Sequence, residues 1–347
     1  MISRRSAALD HRPIPPEVQG TTNDRARLIK ALIHLSVSSE LFPSSLQISQ
    51  VQKEKDPVDF GMSGEVYRGH LTNRTVAVKV FKTCKRHLKD LLAHRETITT
   101  EAIIWCQLYH ENIVPCYGVH CDPAKAYIVS PWMENGNIPK YLRANENAEA
   151  PINRALLLSD IASGMAYLHS DGIVHGDLKA VNVLVSASHR ACLTDFGLST
   201  TSEVSGWTSP PKMRAPGAPR WHAPELSDPR DGLEVKITTM SDVYSFGNVC
   251  YEIMTGKLPL YETKNNTRVQ LRVLRGDRPS KPALQDPAFR KYGLTEDIWD
   301  FIQACWLQEP KQRPTAKDLC EHPVLSSLAD HRPPQEWGEG FRSRLSQ

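Results

Sequence analysis

The sequence predicts an α+β chain in two lobes, a strand-rich part followed by a helix-rich part. Three observations predict this. Short β-type runs broken by turn signals occupy the region from about Val51 to Lys82. Past Asn135-Gly136-Asn137 the apolar residues recur at helical spacing instead. Of the 347 residues 40% are hydrophobic, enough to bury a large core.

Residues 1–22 hold Arg4-Arg5, Pro13 and Pro15-Pro16 among polar side chains, a composition expected to stay loose. From Arg25 to Val37, the residues Leu28, Ile29, Leu32, Ile33 and Leu35 fit one helix face, with Asn23 or Asp24 as the cap. That helix is expected to pack on the domain that follows; the alternative is docking of a partner. Glu65-Val66-Tyr67-Arg68 and Thr75-Val76-Ala77-Val78, with Thr72-Asn73 as a turn, read as strands of a small antiparallel sheet. A long helix is expected over Arg86–Leu108. In the second part Leu157, Ile161, Met165 and Leu168 share a face until Asp171-Gly172. Val243, Phe246, Cys250 and Ile253 form a second stripe, halted near Gly256 and Pro259. Ile298, Phe301, Ile302 and Cys305 form a third, behind the acidic first turn Glu296-Asp297. Asp330 to Gln347 reads as a polar tail. The expected organisation is an extension over 1–50, a domain over 51–325 that divides at 134/135, and a tail over 326–347.

Net charge is +3, from 42 basic and 39 acidic residues, so no polyanion or nucleic-acid partner is expected. The eight cysteines are scattered without a C-x-x-C pair and read as free thiols in a reducing compartment. There is no membrane-length apolar run and no apolar signal core. A soluble, intracellular and cytoplasmic chain is the expectation, although nothing in the sequence separates cytosol from nucleus. The basic run Lys82, Lys85, Arg86, His87 and Lys89 reads as a solvated face.

Three segments carry chemistry: Val76-Ala77-Val78-Lys79, His175-Gly176-Asp177-Leu178-Lys179-Ala180-Val181-Asn182, and Asp195-Phe196-Gly197. In that order they supply a cation for phosphates, a carboxylate to receive a proton, and two oxygen ligands for Mg²⁺. Each alone is weak; together, in order, the chain resembles a eukaryotic protein kinase domain from about residue 55 to about residue 323. The resemblance implies the two-lobed protein-kinase-like fold, with a mainly α-helical C-lobe and an N-lobe built of the small sheet plus one helix. It also implies ATP and Mg²⁺ as cofactors. Asp59-Phe60-Gly61-Met62-Ser63-Gly64-Glu65-Val66 aligns with the family's Gly-rich loop, where Gly61 and Gly64 let backbone amides approach phosphate. By the same resemblance Lys79 sits on the α- and β-phosphates and is held by Glu101, with Glu96 as the alternate. Tyr127 to Gly136 looks like the hinge. There Pro131 C=O and Met133 N–H would bond adenine, Ser130 would lie behind the base, and Ala77 and Val66 would cover it.

At the chemical end Asp177 is the expected base, worth about 10²–10⁴ in rate. Lys179 neutralises charge on the transferred group, and Asn182 and Asp195 offer oxygen to Mg²⁺. Val183-Leu184-Val185 and Cys192-Leu193-Thr194 read as a hairpin turning between Ser188 and His189, which would set Asn182 opposite Asp195. Phe196 is expected to anchor the N-lobe helix. Ala223-Pro224-Glu225 matches the end of the activation loop, with Arg313 as the buried partner of Glu225 and Asp242 holding the catalytic-loop backbone. Trp221 and Cys305-Trp306 point to the tyrosine-kinase-like group, in a form similar to its fungal members.

Three positions depart from the family pattern: Asp59 replaces the first glycine, Gly176 the usual Arg, and Ala218 the usual Thr. Without an Arg at 176, loop phosphorylation loses a charge partner, and hydroxyls at Ser199, Thr200, Thr201 and Thr208 are expected to be dispensable. Lys179 favours Ser/Thr hydroxyls over Tyr. The expected function is an ATP-dependent protein kinase acting on Ser/Thr of protein substrates in intracellular signal transduction. The alternatives are a pseudokinase scaffold, or Tyr or dual specificity. A P-loop enzyme is excluded, since no G-x-x-x-x-G-K-[S/T] occurs. A regulatory partner through residues 1–50 stays open, and oligomeric state is not legible.

Overall fold

The computed structural model describes residues 22–60, 64–81, 88–121, 126–149, 151–201, 219–227 and 236–337. The chain clusters into two units, each taken by itself below: 1–109 with 115–132 and 336–347, and 110–114 with 133–335.

The first unit begins with α1 (Thr22–Ser39), followed by β1 (Val51–Phe60), β2 (Gly64–Leu71), β3 (Arg74–Phe81), α2 (Leu88–Trp105), β4 (Gly118–Cys121) and β5 (Ala126–Pro131). Its sheet runs β1-β2-β3-β5-β4 with every neighbour antiparallel. Alternation along β3 divides two faces. Val76, Val78 and Val80 point into a buried cluster with Val129 and Ile48, while Ala77 and Lys79 occupy the other face, half-buried. The backbone at Ile48 runs along the sheet edge, donating its N–H to Val119 O at 2.9 Å, and so shields an otherwise open edge strand.

α1 packs on α2, as the sequence suggested for this helix. Two details differ. The helix begins at Thr22, so Asn23 and Asp24 lie inside it rather than capping it. Its inward face is Ile29, Ile33 and Ser36, spaced four and three apart, whereas Leu28 and Leu35 lie one position off that line and are each 48% exposed. α2 ends at Trp105, short of the expected Leu108.

The second unit contains α3 (Ile138–Ala144), α4 (Arg154–Ser170), β6 (Ile173–Val174), β7 (Val183–Val185), β8 (Ala191–Leu193), β9 (Thr200–Thr201), α5 (Thr239–Thr255), α6 (Asn266–Leu274), α7 (Pro287–Arg290), α8 (Glu296–Cys305), α9 (Ala316–Glu321) and α10 (Pro323–Ser326). Helix starts follow capping chemistry: Asn137, Asn153, Thr238 and Thr295 each accept a backbone N–H from the first turn they precede. Gly172 follows the end of α4 and Gly256 caps α5, both in the left-handed region that closes a helix without a Cβ penalty. The three apolar stripes read from the sequence are all buried. α5 goes further: from Ser241 to Thr255 every residue is buried, so this helix is a central pillar rather than an amphipathic one. β6 pairs with β9 and β7 with β8, two short antiparallel ribbons. The stretch from Asp330, expected to be a tail, is bonded to this unit as far as Gln335.

The seven described cysteines are free thiols, with the Sγ atoms of Cys106 and Cys116 in contact at 2.6 Å. No helix among the described residues is long and apolar enough to cross a membrane.

Candidate active site

In the first unit, strand register gathers most of the residues expected around the nucleotide. Val66 lies opposite Lys79, and Ala77 opposite Ser130. Opposed residues in an antiparallel pair share a face, so Val66, Ala77, Lys79 and Ser130 all lie on the face away from the valine core. Lys79 Nζ meets Glu101 Oε1 at 2.6 Å, with the two side chains only 11% and 1% exposed. A buried carboxylate this close fixes an otherwise flexible ammonium. Glu101, not Glu96, is therefore the partner.

Gly61 lies outside the described residues. Gly64 has a structural reason to be glycine: a Cβ there would sit 2.4 Å from Val80 O, across the pairing with Phe81. Asp59 turns its Oδ1 onto the N–H of Phe60 at 2.8 Å, a local strand-end bond. Pro131 lies opposite Val76. Met133 belongs to the second unit, buried, with its carbonyl accepting from Gly136 N–H.

In the second unit the loop after β6 is hung from α5. Asp242 Oδ2 accepts His175 N–H at 2.7 Å and Oδ1 accepts Gly176 N–H at 2.9 Å, as expected of it. His169 Nε2 adds a third contact to Oδ2 at 3.0 Å. Gly176 has φ +81, and a Cβ there would approach Leu198 O at 2.7 Å. The position that the family pattern gives to Arg thus has no room for a side chain in this backbone. His175 is fully buried. Its Nδ1 accepts the Asp177 N–H at 3.2 Å, so the ring hydrogen sits on Nε2 and donates to Thr194 O at 3.1 Å.

Asp177 is held on one side only. Its Oδ2 accepts from Lys179 Nζ at 2.6 Å and from Asn182 Nδ2 at 3.0 Å. Asn182 Nδ2 also bonds to Asp177 O at 2.9 Å. Among the described residues Asp177 Oδ1 has no hydrogen-bond partner, so one carboxylate oxygen is positioned while the other has no donor on it.

The β7–β8 hairpin departs from expectation by one residue. Val183 pairs with Leu193 and Val185 with Ala191, and the turn centres on Ser188. Asn182 therefore faces Thr194, whose N–H it accepts at 3.0 Å, and not Asp195. The reason is an odd loop. Ser186 O accepts His189 N–H at 2.9 Å, His189 takes φ +59, and Ser186 N–H then closes on Arg190 O. A turn followed by one left-handed residue adds a position that a two-residue turn lacks. Asp195 comes one step later, with φ +68. A left-handed aspartate is uncommon backbone that the surroundings must impose. Phe196, fully buried, lies against the His175 ring with centroids 5.2 Å apart.

A family model for protein tyrosine and serine/threonine kinases matches residues 53–322. The chain belongs to that family. Among its relatives is the serine/threonine/tyrosine-protein kinase HT1 of Arabidopsis thaliana, 32% identical over 75% of this chain and 62% of the relative. Protein-tyrosine kinase 6 of Mus musculus is 33% identical over 75% of this chain and 53% of its own length. The RGS domain-containing serine/threonine-protein kinase A of Dictyostelium discoideum is 28% identical over 89% of this chain and 25% of the relative. The chain thus spans between a quarter and just under two thirds of the length of these curated relatives.

Further contacts brace this kinase domain. Arg313, buried, forks onto Glu225 with Nη1–Oε1 at 2.7 Å and Nη2–Oε2 at 2.8 Å, the pairing read from the sequence. Ser199 is buried and its hydroxyl donates to His175 O at 3.1 Å, a tie to the loop after β6 that the sequence did not show. Thr208, Ala218 and the basic side chains from Lys82 to Lys89 lie outside what is described.

Sequence reasoning missed two ionisable groups. Glu252 on α5 accepts the indole N–H of Trp221 and, at 3.5 Å, the N–H of Ala180 in the catalytic loop. Burial pushes its carboxyl up to about 7, against the pull of Trp221, Ala180 and Lys179. Burial also holds the His222 imidazole below its ordinary value, with Asp177 opposing and Lys179 reinforcing that shift. The signal for Glu252 was available: an acidic residue in the middle of a helix with apolar residues on all sides is seldom there without a partner.

Proposed function

We propose that this chain is a working protein kinase of the tyrosine-kinase-like group that transfers the γ-phosphoryl of ATP to Ser/Thr hydroxyls of protein substrates. The observation that carries the reading is the one-sided grip on Asp177. With Oδ2 held by Lys179 and Asn182, the open Oδ1 is free to receive the acceptor hydroxyl's proton. The ammonium of Lys179 would also offset charge gathering on the transferred group. Lys79, fixed by Glu101, serves as the cation for the α- and β-phosphates.

The donor set suits Mg²⁺. Asn182 commits its amide nitrogen to Asp177, which leaves its oxygen for a hard cation, and Asp195 supplies a carboxylate. Among the described residues no group of three His, Cys, Asp or Glu side chains gathers as a metal site, so phosphate and water oxygens would complete the shell, as Mg²⁺ prefers. When bound, the ion supplies neutralisation of phosphate charge.

Lys179, two residues after Asp177, supports Ser/Thr over Tyr, while the relatives' names include both kinds. Gly176 supports an activity that needs no phosphorylated loop, since neither charge nor side chain fits there.

The test is transfer from γ-labelled ATP with Mg²⁺ to a mixed protein substrate, comparing the native chain with Asp177→Asn and Lys79→Met. Label on Ser/Thr that falls roughly 10²-fold or more in both variants is expected. Nucleotide binding without transfer above the Asp177→Asn background would leave a scaffold; label on Tyr alone would overturn the substrate class.

A further inference from the structure

The hairpin that carries Asn182 at its foot and leads into Asp195 is fastened at its tip by residues beyond the family match, which ends at residue 322. Arg332 forks onto Asp160 of α4, Nη1 to Oδ2 at 2.8 Å and Nη2 to Oδ1 at 3.0 Å. The same Nη1 also donates to His189 O, the left-handed residue of the turn, at 2.8 Å. Arg190, next in the turn, donates to Pro333 O at 2.9 Å, to Arg332 O at 3.3 Å and to Asp330 at 3.1 Å. Ser188 Oγ, at the very tip, donates to Gln335 Oε1 at 2.6 Å.

Asp160 is the centre of this arrangement. It is only 4% exposed, and its Oδ2 also accepts the N–H of Ala191, the first residue of β8, at 2.8 Å. Burial alone raises its pKa; Arg332, Ala191 and Arg190 pull the other way. A buried carboxylate without such partners is costly, so the Arg332 fork is what lets an anionic Asp160 hold β8 in register. From the tip, β7 and β8 are each three residues long, about 10 Å at strand rise. Displacement of the tip is therefore delivered to Asn182, Thr194 and Asp195 over a short, stiff ribbon.

We propose that residues Asp330–Gln335 form a clasp that sets the β7–β8 hairpin and thereby positions Asn182 and Asp195, with Arg332 and Arg190 as positioning residues for the metal–nucleotide site. The role of the two ligands rests on the phosphoryl-transfer reading above; the clasp itself does not.

Two measurements on the full chain, on Arg332→Ala, on Arg332→Lys and on a chain stopped after Leu328 separate these layers. The first is backbone hydrogen exchange over residues 183–195, which needs no nucleotide. Exchange at least tenfold faster in Arg332→Ala and in the shortened chain, with Arg332→Lys intermediate because it keeps the charge and loses the fork, supports the clasp. Unchanged exchange overturns it, whatever the chain's activity. The second is the Mg²⁺ concentration for half-maximal binding of a fluorescent ATP analogue, against binding of the analogue without metal. A three- to tenfold higher Mg²⁺ requirement with unaltered metal-free binding supports positioning of the ligands. A lower melting temperature with both exchange and Mg²⁺ requirement unchanged reduces residues 330–335 to simple stabilisation and refutes the proposal. Absence of any Mg²⁺-dependent binding in the native chain refutes the kinase reading, while the exchange result still decides the clasp. Should Arg332→Ala fail to fold, Arg332→Lys with Asp160→Asn, which removes the buried charge, carries the same two readouts.

Discussion

Glu252 makes the stability of this kinase depend on pH in a direction opposite to that of most carboxylates. Its pKa in the folded chain is pushed up to about 7 from an ordinary 4.5, burial being the main cause. Between those values the folded chain holds a proton there that the unfolded chain does not. Stability therefore falls as pH rises through this window, by about 1.4 kcal/mol per pH unit and about 3 kcal/mol in all for a shift from 4.5 to about 7. Below pH 4.5 and above about 8 this contribution is flat. The contacts identify a mimic. Trp221 and Ala180 both donate to Oε1, so Glu252→Gln keeps that acceptor and replaces the protonated Oε2 with an amide that carries no charge. Chemical unfolding of the native chain and of Glu252→Gln, from pH 5.5 to 8.5, is the assay. The variant is expected to match the native chain only below pH 4.5, so the gap in its favour should widen from about 1 kcal/mol at pH 5.5 to about 3 kcal/mol by pH 8. Parallel curves across the range would refute the reasoning, because the variant would then have removed no titrating group. Transfer activity followed over the same range should lose part of its alkaline decline in the variant, since Glu252 braces both Trp221 and the backbone at Ala180.

Gly176→Ala should lower both activity and the unfolding midpoint: a φ of +81 costs an L-residue about 1–2 kcal/mol, before the approach of Cβ to Leu198 O at 2.7 Å is counted. Gly176→Arg is expected to behave no better, and a gain of phosphorylation-dependent activity in it would contradict the geometry. Arg313→Ala strands Glu225 and leaves the carbonyls of Met240 and Leu307 without their guanidinium donor. A loss of about 3 kcal/mol, read as a melting temperature roughly 6–12 °C lower, is expected, and less than additive loss when combined with Glu225→Gln. Ser199→Ala should cost about 1 kcal/mol through the lost bond to His175 O, whereas Thr208→Ala should leave activity intact; a neutral Ser199→Ala would show that the hydroxyl does not brace the loop.

Much of the site was legible in sequence because it is written in short segments of fixed order. Lys79 on a β-alternating run, Asp177 with Lys179 and Asn182 in one loop, and Asp242 on a helical stripe are local patterns, and local patterns constrain which residue types meet phosphate, proton and metal. By the family resemblance, the spacing of Glu101 ahead of Leu108–Val114 also identified it, and the folded chain forms its ion pair with Lys79. Where the sequence failed, the deciding interaction was either a backbone angle or a long-range pair. The hairpin register turned on His189 adopting φ +59, which makes the loop odd and moves Asn182 opposite Thr194; residue types around a turn do not announce that choice. The Ser199 hydroxyl meets His175 O only in the folded chain, next to the pairing of β9 with β6. The Asp160–Arg332 fork joins residues 172 positions apart. No periodicity or motif can express such a pair, because burial creates the demand for a countercharge and only the folded path of the chain decides which arginine meets it.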